Sequence, residues 1–200
     1  MKYFSIFILT MFPLLFAHAE IENLLSTIDS HGELYSIENS CPAALYNDPE
    51  KNYKNYIAIC ATGPTSCLSK CLKGSSNHCF GLANNLQAEE VDKKYAEKLY
   101  ALACKQGLVT ACTNRAAGMM RFSPERKKCY AQSFKLTCSK SDAWGCTMYA
   151  LVLSRGIGIE KNRDLALAAL KTGCKHGIED EACRYAKELE REILSGSPSR

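Results

Sequence analysis

The stretch Ala96-Glu97-Lys98-Leu99-Tyr100-Ala101-Leu102-Ala103-Cys104-Lys105-Gln106-Gly107-Leu108-Val109-Thr110-Ala111-Cys112 decides the fold. Its first part places apolar residues at Ala96, Leu99, Tyr100 and Ala103, the i, i+3, i+4, i+7 stripe of an amphipathic helix. Gly107 stops that helix, and Val109 to Met120 reads as a return helix. Cys104 and Cys112 stand eight positions apart. On one continuous helix that spacing is about 12 Å, beyond the roughly 7 Å that a disulfide allows between Cα atoms. A bridge therefore requires the chain to reverse between the two cysteines. The unit is a helix, a tight turn and a second helix, stapled across the turn.

The unit recurs in both directions. Cys71/Cys79 and Cys138/Cys146 repeat the gap of eight, and Cys174/Cys183 has a gap of nine. First members follow one another at 33, 34 and 36 residues, the period of helical-hairpin repeats. Ser123-Pro124-Glu125 reads as N-cap, N1 proline and first-turn acid, opening a helix to about Ser139. Asp142 to Arg155 returns, and Gly156-Ile157-Gly158 ends it. Asn162 caps a helix through Lys175, and Glu179 to Ile193 closes the array. Upstream, Asp48-Pro49-Glu50 opens a helix through about Ala61, Gly63-Pro64 breaks it, and a short helix continues to Lys73. No stretch of four or more residues alternates convincingly with period two, so no sheet is expected.

Staples need an oxidising compartment. Lys2 precedes an apolar run from Tyr3 to Phe16, which ends in Ala17-His18-Ala19, a signal-peptidase pattern predicting cleavage before Glu20. Export makes disulfides the simplest reading of twelve cysteines. The expected organisation is a signal peptide over 1–19, an irregular helical N-terminal cap over 20–63, a repeat array over 64–193 and a disordered tail over 194–200. A net charge of +4 on the whole chain gives no warrant for nucleic-acid binding. No membrane insertion is expected after signal cleavage.

The motif Ala96-x-x-Leu99-Tyr100-x-x-Ala103-Cys104-x-x-Gly107, followed by Ala111-Cys112, resembles the Sel1-like repeat. Gly156 to Asn162, then Asp164 and Ala166 ahead of Cys174-Lys175-His176-Gly177, resembles its inter-repeat loop and next helix. The paired cysteines look like those of the Helicobacter cysteine-rich proteins. The resemblance covers about residues 64–193 and implies an all-α fold, an α/α solenoid of Sel1-like, tetratricopeptide-related hairpins. It also implies that the first helices, which carry Tyr95, Tyr100, Tyr130 and Phe134, line a groove, whereas helical spacing alone makes most of these four residues core. Two departures stand out: Ser141 replaces the turn glycine after Cys138, and the last pair carries one extra residue.

Stacked units of this kind are expected to share a continuous core, packed closely through small residues such as Ala103, Ala111, Ala116, Ala150 and Ala182. Cys41, Cys60, Cys67 and Cys129 fall outside the four pairs and allow three connectivities. Cys60-x-x-Gly63 before Cys67 is a shortened repeat pattern and favours Cys60–Cys67. Cys67 also stands one helical turn from Cys71, so a rival pairing is open, and nothing in the sequence joins Cys41 to Cys129.

Metal and redox chemistry find no motif. The chain has no C-x-x-C, and His31, His78 and His176 are scattered, so neither a metal nor another cofactor is expected. Some cysteine-rich members of the resembled family are described as penicillin-binding or weakly β-lactam-hydrolysing. Lys171-Thr172-Gly173 reproduces one triplet of such enzymes, and Ser141-Asp142-Ala143 approximates another. No serine is followed three residues later by lysine, so the nucleophile motif is missing. Arg121, Arg126, Lys127 and Lys128 form the densest basic cluster and read as a solvated turn. Trp144 reads as a packing residue.

The expectation is a periplasmic or secreted scaffold without chemistry of its own, holding a protein or peptide segment in a concave groove. The first alternative is a periplasmic protein that meets β-lactams or a peptidoglycan-related ligand, with weak β-lactamase activity. The second is a secreted effector acting on host cells.

Overall fold

The computed structural model describes residues 12–34, 41, 53–88 and 93–196. Among the described residues all regular structure is helical. The helices are α1 (Phe12–Ser30), α2 (Tyr53–Thr62), α3 (Pro64–Leu72), α4 (Ser76–Ala88), α5 (Lys93–Lys105), α6 (Val109–Phe122), α7 (Lys127–Ser139), α8 (Ala143–Arg155), α9 (Arg163–Gly173) and α10 (Glu181–Ser195). The opening Asp48-Pro49-Glu50 of the sequence reading and residues 197–200 of the tail lie outside the described residues.

Hairpins form because each turn solves the same local problem. Three residues after the first cysteine of each of the four repeat pairs, the backbone takes a positive φ: 102° at Gly74, 102° at Gly107, 60° at Ser141 and 85° at Gly177. Three turns then close a six-residue ring that satisfies a helix-end carbonyl. Ser75 N–H donates to the Lys70 carbonyl at 3.1 Å, Leu108 N–H to Ala103 at 3.0 Å and Asp142 N–H to Thr137 at 3.1 Å. The fourth turn holds the extra residue and uses two shorter links, Gly177 N–H to Cys174 and Asp180 N–H to Gly177. Ser141 tolerates a conformation that an L side chain adopts only at a cost.

Helix starts follow the same short-range chemistry. Asn162 accepts a hydrogen bond from Leu165 N–H at 2.9 Å, and Asp142 accepts one from Gly145 N–H at 2.7 Å. Ser123 departs from expectation. Its N–H ends α6 on the Met119 carbonyl at 2.8 Å, and its side chain makes no cap bond. Pro124–Arg126 forms a 3-10 turn, so α7 begins only at Lys127.

Six cysteine pairs lie at disulfide distance. Cα separations are 4.6 Å for Cys71–Cys79, 4.6 Å for Cys104–Cys112, 4.3 Å for Cys138–Cys146 and 4.1 Å for Cys174–Cys183. Cys60–Cys67 joins α2 to α3 at 5.5 Å. Cys41–Cys129, at 5.6 Å, ties the N-terminal region to α7 across 88 residues of sequence.

Each helix packs on its chain neighbours: α3 on α4, α4 on α5, and so to α10 on α9, with α2 lying along α4. Close approach is bought with glycine. A Cβ on Gly81 of α4 would overlap the Tyr56 carbonyl of α2, and one on Gly158 would overlap the Lys127 carbonyl. Helix α1 runs through Ala17-His18-Ala19 and docks on α3 and α5, burying Leu24 and Ile28. Asp29 of α1 accepts hydrogen bonds from Lys98 Nζ at 2.7 Å and Tyr95 Oη at 2.8 Å.

Among the described residues the core falls into two parts. One apolar cluster runs from Leu24 to Cys112 and a second from Ala116 to Leu189. Helix α6 contributes to both, and the seam within it is polar. There Thr110 and Thr113 reach across to Asp142, at 3.1 and 2.9 Å.

Candidate functional site

A large opening is faced by α2 and by the second helices of the four repeat hairpins, not by their first helices. A cavity of about 1000 Å³ is lined by residues from α2, α4, α6 and the turns that enter α8 and α10. The aromatics of the first helices are core, as their helical spacing indicates, and do not line this opening as the family resemblance implies. Tyr95, Tyr100, Tyr130 and Phe134 are all buried. The hydrophobic stripe of a first helix meets helices on both sides, which leaves it no open face.

At one end Tyr53 and Phe80 pack edge to face, with centroids 4.9 Å apart, beside Lys54 and Ile57. In the middle stand Asn84 of α4 and Asn114 of α6, both beside the buried Tyr100 hydroxyl. Burial pushes that phenol up to about 12. Its Oη donates to Gln87 at 2.9 Å. At the other end Trp144 is 38% exposed and packs against Tyr185, with centroids 6.0 Å apart. Trp144 is thus a half-exposed wall residue. A tryptophan two residues into a turn-to-helix segment carries no sequence signal that separates wall from core.

Charges of both signs flank that end. Lys140 and Lys175 line it together with Glu179, Asp180 and Glu181, and His176 stands among them. Two of the lining groups already do structural work. Asp180 caps α10 by accepting from Ala182 N–H at 3.0 Å, and Lys175 Nζ donates to the Ser141 carbonyl. What remains is a mixed polar and aromatic surface. It offers stacking faces, amide groups and ion-pairing partners, the chemistry that holds an extended chain.

The enzyme-like triplets come apart in three dimensions. Lys171-Thr172-Gly173 forms the last turn of α9, and a Cβ on Gly173 would overlap the Thr147 hydroxyl. Asp142 is a helix cap held by Thr110 and Thr113. Among the described residues no group of three or more His, Cys, Asp or Glu side chains gathers as metal ligands would. No helix among them is long and apolar enough to cross a membrane.

Comparison with known proteins rests on shape. No protein-family model matches the chain, and no curated protein matches it either. Its fold is similar to that of a solved structure, a protective antigen present in uropathogenic Escherichia coli strains and displaying an SLR fold, where SLR denotes the Sel1-like repeat. The two superpose with a TM-score of 0.52 at 16% identity, over 66% of this chain and 36% of that one. The chain therefore spans about a third of the length of that protein. The fold is an α/α solenoid of Sel1-like hairpins. Within that solenoid the cysteine staples hold each hairpin closed, and the second helices present the large cavity.

Proposed function

We propose that this chain is an exported, non-catalytic repeat scaffold that holds a peptide or protein segment along the cavity lined by its second helices. The observation that carries the proposal is the cavity itself: an opening of about 1000 Å³ crossing four hairpins, with aromatic pairs at both ends and amides between. The extended surfaces of a repeat stack suit linear partners. The many disulfides are compatible with the periplasm or the extracellular medium, where such bonds persist. The paired-cysteine pattern supports a kinship with the Helicobacter cysteine-rich proteins as part of the same proposal.

Photo-crosslinking tests it. A benzophenone side chain placed at Asn84 or Trp144 of the oxidised mature protein should capture the same partner, identified by mass spectrometry. A third at Lys187, outside the cavity, should not. Capture only at Lys187 would place the interface elsewhere and reject the reading.

A further inference from the structure

One of the six bridges differs from the rest in kind. Cys60–Cys67 and the four hairpin staples join neighbouring helices through cysteines seven to nine positions apart. Cys41–Cys129 spans 88 positions and belongs to no hairpin. It also differs in access. Each of the other five bridges has at least one covered cysteine: Cys67, Cys71, Cys112, Cys146 and Cys183 are all 1% exposed or less. Cys41 is exposed and Cys129 is half-buried.

Position gives the two sulfurs different chemistry. Cys41 lies outside any helix and is open to a thiolate from solvent. Cys129 is the third residue of α7, where free backbone N–H groups and the helix dipole favour negative charge on sulfur. Its Sγ already accepts a hydrogen bond from Arg126 Nη2 at 3.9 Å. A disulfide opens fastest at an accessible sulfur whose partner leaves as a stabilised thiolate, so attack belongs at Cys41 and departure at Cys129. At the five local bridges a covered sulfur must either be attacked or leave, and burial opposes both. A sulfur expelled there also stays within a short loop of its partner, poised to close again.

The bridge has a distinct place in the architecture. Leu34, seven positions before Cys41, is buried in the first apolar cluster, and Cys129 packs against the second. Cys41–Cys129 therefore ties one part of the core to the other. The large cavity spans the same divide, with Tyr53 and Phe80 at one end and Trp144 at the other.

We propose that Cys41–Cys129 is a thiol-exchange site, a clasp that the dithiol of another protein opens while the five local bridges stay closed. One thiolate of the dithiol bonds to Cys41 Sγ, the Cys41–Cys129 bond breaks, and its electron pair leaves on Cys129. The second thiolate of the dithiol then attacks the sulfur bonded to Cys41 and releases Cys41. Both cysteines take up the protons that the dithiol has lost. The clasp is reduced by two electrons, and the dithiol is oxidised to a disulfide. Opening leaves the hairpins intact and frees the two parts of the core to move against each other. The exchange does not depend on what the large cavity holds.

Timed reduction of the native oxidised protein with dithiothreitol, quenched with iodoacetamide and mapped by mass spectrometry, tests the assignment. Cys41 and Cys129 should be alkylated at least about tenfold faster than any other cysteine. With the monothiol glutathione, trapped early, the mixed disulfide should sit on Cys41. Amide exchange in the protein alkylated at these two positions should rise over residues 20–34 and at the start of α7, with the four hairpin turns still protected. Simultaneous opening of all six bridges would overturn the proposal, as would earlier labelling of a hairpin pair or loss of protection at the hairpin turns. Glutathione held mainly on Cys129 would do the same, and so would an oxidised protein in which Cys41 is not joined to Cys129.

Discussion

The hydroxyl of Thr113 donates to the carboxylate of Asp142 at 2.9 Å, across the boundary between the second and third disulfide-paired hairpins. The same oxygen caps α8 through Gly145 N–H at 2.7 Å, and Thr110 reaches the other carboxylate oxygen. One side chain therefore starts a helix and fastens two repeats where the apolar core is interrupted.

Asp142→Ala should cost more than an ordinary cap. Loss of the cap is worth about 1 kcal/mol, and leaving the buried Thr113 hydroxyl without its acceptor adds about 1–2 kcal/mol. Denaturant unfolding should show a loss of about 2–3 kcal/mol, with Asp142→Asn milder because its amide oxygen still accepts. Amide exchange in Asp142→Ala should rise first at α6 and the start of α8. Uniform loss of protection over residues 64–193 would mean one cooperative globule instead of a stack.

Ser141→Gly should stabilise the chain. Ser141 holds φ 60° where the other three paired turns use glycine. Removing the Cβ relieves about 1 kcal/mol of left-handed strain, partly offset by the greater freedom of glycine in the unfolded chain. The reciprocal change, Gly107→Ser, should destabilise by a similar amount. Thermal melts of both variants give the comparison directly.

Acid should loosen the docking of α1. Hydrogen bonds from Lys98 and then Tyr95 hold the Asp29 carboxyl below the usual carboxylate range. A depressed folded value stabilises above the unfolded value, 3.8, and that stabilisation is lost as pH falls through the folded one. Wild-type stability should therefore drop below about pH 4. Asp29→Asn should be less stable at neutral pH and should lose less on acidification. Because half of Asp29 faces water, the effect should be modest, on the order of 1 kcal/mol.

Base acts at Tyr100. Burial raises its phenol to about 12, so the associated stability is present below the ordinary tyrosine value and lost as pH rises through about 12. Ultraviolet titration should show exposed tyrosines ionising first and Tyr100 last, together with unfolding. Tyr100→Phe should remove that last step.

Removing the long-range bridge should cost more than removing a hairpin staple. The chain-entropy model gives up to about 2.5 kcal/mol for a loop of eight residues and up to about 4.5 kcal/mol for one of 88. Replacing Cys41 and Cys129 together by serine should thus lower the thermal midpoint more than the same change at Cys104 and Cys112. The order is read from melts of the two double variants, and the reverse order would mean that the hairpin staples hold native contacts beyond chain entropy.

The amino-acid sequence alone determined the hairpins, because everything that makes one lies within a few residues: an apolar stripe, a turn glycine, a cap, two cysteines eight or nine apart. Asn162 as a helix cap, the halt at Gly107 and the return from Val109 were all legible on that scale. Tertiary structure decided what the hairpins display. The Cys41–Cys129 link, the Asp29–Lys98 pair and the Thr113–Asp142 seam span 88, 69 and 29 residues. No local rule reaches so far. The inward side of Tyr100 was legible in its helical stripe; the rotation from each hairpin to the next sets which helix faces the large cavity, and it left Trp144 on the wall. That rotation depends on how helices and turns interlock at Gly81, Gly118 and Gly158, a sum of many weak contacts that only the folded chain brings together.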